Sequence, residues 1–158
     1  FIINMESLEF KLANFFSVLW PLGFFPFAPR TTISLVAAYL GYLTNIYFGS
    51  IFTLIFGLIT GILGWWATKI YIEKNKNKDP SEVVIDEFSG QLIASSAAGI
   101  SPLLNILAFL LFRFFDIFKP SIIGKAENLS GATGIMMDDW LSGIFSAAIL
   151  SILIILGL

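Results

Sequence analysis

The sequence predicts an all-α integral membrane protein, a small helical bundle of about four to six membrane segments, some of them short or re-entrant. Three observations predict it. Hydrophobic residues fill 57% of the 158 positions and mean hydropathy is +0.87. Charged residues make up 13%, where a soluble domain carries about 25%. Most of the eleven acids are gathered into short clusters that border apolar runs. The chain reads as one domain over residues 1–158.

The elements follow in order. Residues 1–11 are mixed in polarity and read as interfacial. Residues 12–28 are apolar but broken by Pro21, Gly23, Pro26 and Pro29. They fall short of the roughly 20 apolar residues a span needs, so a re-entrant or interfacial segment is expected. After Arg30-Thr31-Thr32, residues 33–48 and 51–68 read as two membrane helices joined by a tight turn at Gly49-Ser50. Gly57 and Gly61 form a small-xxx-small pair that lets helices approach closely. Trp65, Trp66 and Tyr71 fall where an aromatic belt is expected. Lys69 to Asp79 reads as a polar linker, a solvated loop of the positive-inside kind. A helix is expected from Ser81, with Ser81 as N-cap and acids in its first turns. It breaks at Gly99-Ile100-Ser101-Pro102, and a second helix covers about 103–118 before Lys119-Pro120. These two arms form a short hairpin or two tilted spans. Residues 121–137 read as a glycine-containing loop and 139–158 as a last apolar helix.

Counting crossings from Arg30 puts Arg30, the Lys-rich linker, Asp79 to Glu87, Arg113 to Lys119 and Asp138-Asp139 on one face. The positive-inside rule makes that face cytoplasmic. Clusters distant in sequence then converge on one interfacial site.

The residue types limit the chemistry. The chain contains neither His nor Cys. That excludes a disulfide framework, a thiolate nucleophile, phosphohistidine intermediates and His metal ligands, and it leaves the redox compartment open. Nothing in the net charge of −2 points to nucleic acid. No basic segment precedes an apolar stretch with a small-residue cleavage site, so no signal peptide is expected. The chain opens on Phe1, which leaves a truncated start and a start at Met5 both open. Carboxylates at the edge of a membrane domain are functional candidates by default. The chemistry they suit best uses a hard cation on oxygen ligands.

Asp79, Glu82 and Asp86 stand at i, i+3 and i+7, one face of a helix. Glu87 points about 100° away from Asp86. Asp116 lies three residues from both Arg113 and Lys119, which fits an ion-pair ladder on a helix end and equally a phosphate site built from the two cations. Asp138 fits as the N-cap of the last helix, and Asp139 beside it has no such structural role. Phe109, Phe112, Phe114, Phe115 and Phe118 read as lipid-facing or core packing.

Three ordered motifs carry a family resemblance. They are Asp79-Pro80-x-Glu82-x-Val84-x-Asp86-Glu87-x-x-Gly90-Gln91, then Phe112-Arg113-x-Phe115-Asp116-x-x-Lys119-Pro120, then Gly134-Ile135-Met136-x-Asp138-Asp139 with Gly143. In order and spacing they resemble phosphatidylglycerophosphatase A over residues 24–146. The resemblance implies a Mg²⁺-dependent enzyme that dephosphorylates phosphatidylglycerophosphate to phosphatidylglycerol in the bacterial inner membrane, with its active site facing the cytoplasm. It implies Asp79, Asp86, Glu87, Asp138 and Asp139 as metal ligands. Asp86, Glu87, Asp116 and Asp139 are then the catalytic acids, with Asp116 as base or covalent nucleophile. Arg30, Thr31, Ser34, Arg113 and Lys119 would bind the phosphate. The family's loop close to Ala-Pro-Gly-Thr-x-Gly-Ser reads here Ala28-Pro29-Arg30-Thr31-Thr32-Ile33-Ser34. Both glycines are replaced, which removes a close backbone approach and leaves Arg30 to supply a charged contact. The family's Trp-Pro after Lys119-Pro120 is replaced by Ser121-Ile122.

A phosphate monoester dianion repels nucleophiles and hydrolyses very slowly unaided. Cations on its oxygens and a positioned nucleophile lower that barrier. The alternative reading is a carboxylate-lined cation or proton-coupled transporter, which places ionisable groups near the midplane of discontinuous helices. Acids grouped at helix ends on one side favour the lipid phosphatase. The oligomeric state is left open.

Overall fold

The structure, a computed structural model, describes residues 2–77 and 80–157. Among these the chain is all helical, with no strand. The helices are α1 (Ile2–Ser17), α2 (Pro29–Phe48), α3 (Ser50–Asn75), α4 (Ile85–Ser96), α5 (Pro102–Phe118), α6 (Ile122–Glu127) and α7 (Ala132–Ile155), with a short 3-10 turn at Leu22–Phe24.

Local chemistry sets the boundaries. Pro29 and Pro102 occupy first-turn positions in α2 and α5, where a missing N–H costs nothing and φ is already helical. Ser101 caps α5 by accepting a hydrogen bond from the Leu104 N–H at 3.3 Å. Gly49 alone separates α2 from α3. Its φ of +86° suits glycine, and its N–H donates to the carbonyls of Thr44 and Asn45. The reversal is tied by a 2.8 Å hydrogen bond between the hydroxyls of Thr44 and Thr53.

Helix α4 is the hub. All twelve of its residues are buried, and it packs against α2, α3, α5 and α7. Glycines make that possible. A Cβ at Gly61 would sit 2.5 Å from the Trp140 ring and 2.6 Å from Ser89 Oγ. One at Gly90 would sit 2.5 Å from the Asp139 carbonyl. Gly143 faces the Gly90 carbonyl in the same way. The close approach expected of Gly57 and Gly61 is found: Ser89 on α4 donates to the Gly57 carbonyl at 2.9 Å, and Trp140 Nε1 donates to Ser89 at 3.0 Å. This links α3, α4 and α7 at one level. Two buried amides make similar ties: Asn45 donates to the Ser95 carbonyl and Asn105 to the Ala38 carbonyl.

Helices α3 and α7 are long and apolar enough to cross a membrane, with mean hydropathies of 1.8 and 1.6 over their most apolar windows. At 1.5 Å per residue α3 is about 39 Å long and α4 only about 18 Å.

Several expected boundaries are corrected. The linker expected from Lys69 is helical as far as Asn75, because Lys, Glu and the intervening Ile and Tyr continue a helix readily. The helix expected from Ser81 begins at Ile85. The Val84 N–H instead donates to the Ser17 carbonyl at 3.1 Å, pinning residues 80–84 to the end of α1. Glu82 therefore does not share a helical face with Asp86; it accepts a hydrogen bond from Tyr71 at 2.8 Å. The loop expected over 121–137 contains α6, and α7 begins at Ala132 after Gly131. Asp138 is thus a second-turn residue of α7 and not its N-cap. The segment from Pro29 to Ser34 is the first turns of α2, with Ile33 fully buried in the core.

Candidate active site

The start of α2, the end of α3, the start of α4, the end of α5 and the first turns of α7 meet at one end of the bundle. There they surround a cleft of about 560 Å³ whose wall includes Arg30, Lys76, Asp86, Lys119, Glu127 and Asp138. The turns at the other end, residues 49–50 and 99–102, carry no charge.

Asp86 and Glu87 enter from the first turn of α4, and Asp139 from α7. Each offers a carboxylate oxygen within 4.8 Å of those of the other two. All three are buried, at 1%, 0% and 2% exposure. The angular offset between Asp86 and Glu87 does not separate them, because Asp139 approaches from a second helix. Asp86 Oδ1, both Glu87 oxygens and Asp139 Oδ1 lack a hydrogen-bond partner. Buried polar atoms are nearly always partnered, and an unpaired buried carboxylate is among the costliest groups to bury. The donors are all hard oxygens, the set that suits Mg²⁺.

Cations flank the triplet. Arg30 Nε lies 3.3 Å from Glu87 Oε1, near enough for an ion pair and without the alignment of a hydrogen bond. Arg113 pairs with Asp116, its i+3 neighbour on α5, and its Nη1 also donates to Ser34 Oγ at 3.4 Å. Half of the expected Arg113–Asp116–Lys119 ladder is therefore present. Lys119 turns away, because its left-handed backbone ends α5. Its Nζ donates to Asp138 Oδ2 at 2.6 Å and to Glu127 Oε1 at 2.7 Å. Burial alone lowers the Lys119 pKa, but these two bonds and charges outweigh it and raise the pKa above the ordinary lysine range. Lys119 stays charged throughout the physiological range.

The structure thus brings together Asp86, Glu87 and Asp139, with Arg30, Arg113, Asp116 and Ser34 beside them. Asp138 stands at the cleft with both oxygens occupied, one by Lys119 and the other by the Asp139 N–H at 3.0 Å. Thr31 is exposed, and Asp79 lies outside the described residues. Sequence reasoning missed Glu127, whose only sequence signal is its place in a segment read as loop. It also missed Ser89 and Trp140, which fix α4 against α7 beside the triplet.

Fold and site define an all-helical protein with a buried carboxylate cluster beside a cleft lined by both acids and bases. The chain belongs to the phosphatidylglycerophosphatase A family, whose profile matches residues 15–154. It is 36% identical over 139 residues to a Bacteroides thetaiotaomicron protein provisionally named a phosphatidylinositol-3-phosphatase, covering 82% of this chain and 86% of that one. It is 35% identical to phosphatidylglycerophosphatase A of Haemophilus influenzae, over 77% of this chain and 76% of the relative. It is 31% identical to phosphatidylglycerophosphatase A of Escherichia coli K12, over 81% and 75%. No solved structure matches the chain significantly.

Proposed function

We propose that the chain is a Mg²⁺-dependent lipid phosphatase that hydrolyses phosphatidylglycerophosphate to phosphatidylglycerol and phosphate at the cytoplasmic face of a bacterial inner membrane. The observation that carries this reading is the buried triplet of Asp86, Glu87 and Asp139, with unpartnered oxygens next to Arg30. Those three residues would hold the ion. When bound, it offsets negative charge on the phosphoryl oxygens and makes water a better nucleophile.

The protein's own groups have separable tasks. Arg30 and Arg113 draw the phosphate dianion toward the carboxylates and balance charge as it reacts. Arg113 and Ser34 also hold each other in place across α2 and α5. Asp116, buried and held by Arg113, is the base that takes a proton from water or the nucleophile that attacks phosphorus. Asp138 orients Lys119 over the cleft. Asp79, seven residues before Asp86 in the sequence, is a further candidate ligand.

The membrane reading rests on the surface. Leu35, Ile51, Ile62, Leu103 and Ile155 are all more than half exposed, while Asp86, Glu87, Gln91 and Ser95 are buried. Helices α2, α3, α5 and α7 serve as membrane segments, and α4 is a half-length helix enclosed by them. A transporter needs ionisable groups along a path from side to side; the uncharged turns opposite the cleft favour the phosphatase.

The names of the relatives differ in headgroup, and both describe a phosphate monoester on a lipid. The deciding experiment offers purified protein phosphatidylglycerophosphate and phosphatidylinositol 3-phosphate side by side, with EDTA and with Mg²⁺ restored. Phosphate release from the first lipid, abolished by EDTA and recovered with Mg²⁺, is the expected result. Full activity in metal-stripped protein removes the metal from the mechanism, and preference for the inositol lipid changes the substrate. Orientation has its own test. Single cysteines at Asn77 and Asn128 should label from the cytoplasmic side and one at Ser50 from the outside.

A further inference from the structure

The surface between α2 and α5 is hollowed. An open groove of about 780 Å³ runs there, walled by Leu35 and Tyr39 of α2 and by Ile106, Phe109 and Leu110 of α5. That volume lies within the range of about 300–1,000 Å³ typical of small-molecule sites.

Two polar contacts fix how the groove lies. Ser34 meets Arg113, and Ala38 meets Asn105. As α2 advances from 34 to 38, α5 runs back from 113 to 105, so the two helices are antiparallel. The groove therefore starts beside the Ser34–Arg113 contact and descends away from the carboxylates. Eight residues separate Arg113 from Asn105, about 12 Å of helix. The same two helices supply Arg30 and Asp116 to the site above. The groove has no charged wall, and Leu35, Tyr39, Ile106 and Leu110 are each between 56% and 63% exposed, so it opens sideways along its length. Asn105 is buried and spends its amide N–H on the Ala38 carbonyl.

We propose that the α2–α5 groove seats an acyl chain of the lipid whose phosphate is held at the Arg30–Arg113 end. This rests on the lipid-phosphatase reading and adds to it which surface takes the tail. A lipid lying this way has its headgroup at the cations and its chain against the apolar stretch of the same two helices. The exposed faces of α3 and α7 are apolar too, but the hydrogen bonds of Arg113 run to Ser34 of α2 and to Asp116 on its own helix. The groove makes the tail part of substrate recognition, so that chain contacts help set KM.

Two measurements test this. In the first, Leu35→Trp and Ile106→Trp fill the groove from exposed positions. Ile152→Trp, equally exposed on α7, is the control, and melting temperatures check folding. Phosphate release is compared for diacyl phosphatidylglycerophosphate and for its deacylated, water-soluble headgroup. The groove variants should raise KM for the diacyl lipid about tenfold, as expected from displacing a few methylenes from apolar contact, and leave the deacylated substrate within about twofold. Equal effects on both substrates, or none on either, overturn the proposal.

The second measurement needs no turnover. Wild-type protein in phosphatidylcholine nanodiscs is photolabelled with phosphatidylglycerophosphate carrying a diazirine in one tail. Adducts on α2 and α5 at the groove, displaced by excess unlabelled phosphatidylglycerophosphate, support the seat. Equal labelling by a diazirine-tailed phosphatidylcholine marks ordinary boundary lipid, and adducts confined to other helices place the tail elsewhere; either result overturns it. If wild-type protein hydrolyses the lipid and the groove stays unlabelled, the groove assignment alone fails. If no lipid is hydrolysed, the functional reading fails first.

Discussion

Helices α3 and α4 lie side by side and treat their surroundings in opposite ways. α3 is apolar around most of its circumference and only a third of its most apolar window is buried. Apart from Tyr71, its buried positions are Thr53, Gly57, Gly61, Gly64, Ala67 and Thr68, all small. α4 is half as long and entirely buried, yet it carries Asp86, Glu87, Ser89, Gln91, Ser95 and Ser96. Most large apolar side chains of α3 thus point out, and α4 brings polar side chains in beside its buried Ile85, Phe88, Leu92 and Ile93. In water that arrangement would be unfavourable on both counts. It suits a chain whose outer solvent is lipid and whose interior is built around a charged site. The small residues of α3 are what let a polar helix be enclosed so tightly.

The largest expected effect comes from removing charge inside that enclosure. Asp86→Asn, Glu87→Gln and Asp139→Asn should each reduce phosphate release by about two to three orders of magnitude, the scale typical of losing one group that stabilises transition-state charge. Stability should move differently. Asp139 carries an unpartnered buried oxygen, so Asp139→Asn in EDTA should melt at or above the wild-type temperature. A protein that loses activity and also melts far lower would mean that the carboxylates hold the bundle together. Near-normal turnover in Asp86→Asn would remove the proposed metal site.

The contrast between these helices also explains what the sequence made legible. Apolar runs and the Gly49 and Ser101-Pro102 breaks located α2, α5 and the start of α3 to within a few residues, because they depend on local chemistry, while the end of α3 runs seven residues past the expected 68. The starts of α4 and α7 were misplaced, because tertiary contacts set them. Ser81 has the chemistry of an N-cap, but residues 80–84 are held against α1 and the helix waits until Ile85. Gly134 reads as loop punctuation, yet it lies inside α7, where a Cβ would strike the Leu129 carbonyl. The convergence of the charged clusters followed from counting crossings. That Asp139 completes a triplet with Asp86 and Glu87 while Asp138 turns to Lys119 was legible only in part: Asp139 stood out as lacking a structural role, but both were expected as metal ligands, and packing decides which of them faces α4.

A second substitution acts on packing. Gly90→Ala places a methyl group against the Asp139 carbonyl at 2.5 Å and against Phe112, which is fully buried, at 2.7 Å. Backbone on α7 cannot yield without moving Asp139, so the variant should lose about 1–3 kcal/mol of stability and part of its activity. Gly57→Ala meets its nearest atoms at 3.1–3.2 Å and should cost less. Thermal melts of the two variants in the same detergent compare them directly. Equal losses would mean that the α4–α7 contact adjusts as freely as the α3–α4 contact, which would weaken the case for a site fixed by close helix approach.

The smallest expected effect lies at the cleft's rim, where one lysine has two acidic partners in different settings. Lys119 Nζ bonds both Asp138, whose side chain is 8% exposed, and Glu127, whose side chain is 53% exposed. Solvent screens the Glu127 pair, and exposed ion pairs contribute little. Removing it leaves Lys119 still held by the buried partner. Glu127→Gln should therefore change turnover by less than about twofold, the scale of such rim pairs, and lower the Lys119 pKa only in part. Asp138→Asn removes the stronger anchor, leaves the half-buried ammonium with the exposed Glu127 alone, and frees Lys119 to leave the cleft. It should raise KM for phosphatidylglycerophosphate more than it lowers kcat, because in this reading Lys119 acts on the bound phosphate and not on the attacking group. If Glu127→Gln proved the more damaging of the two, the rim and not the buried end of α7 would be positioning the lysine, and Asp138 would regain its claim as a metal ligand.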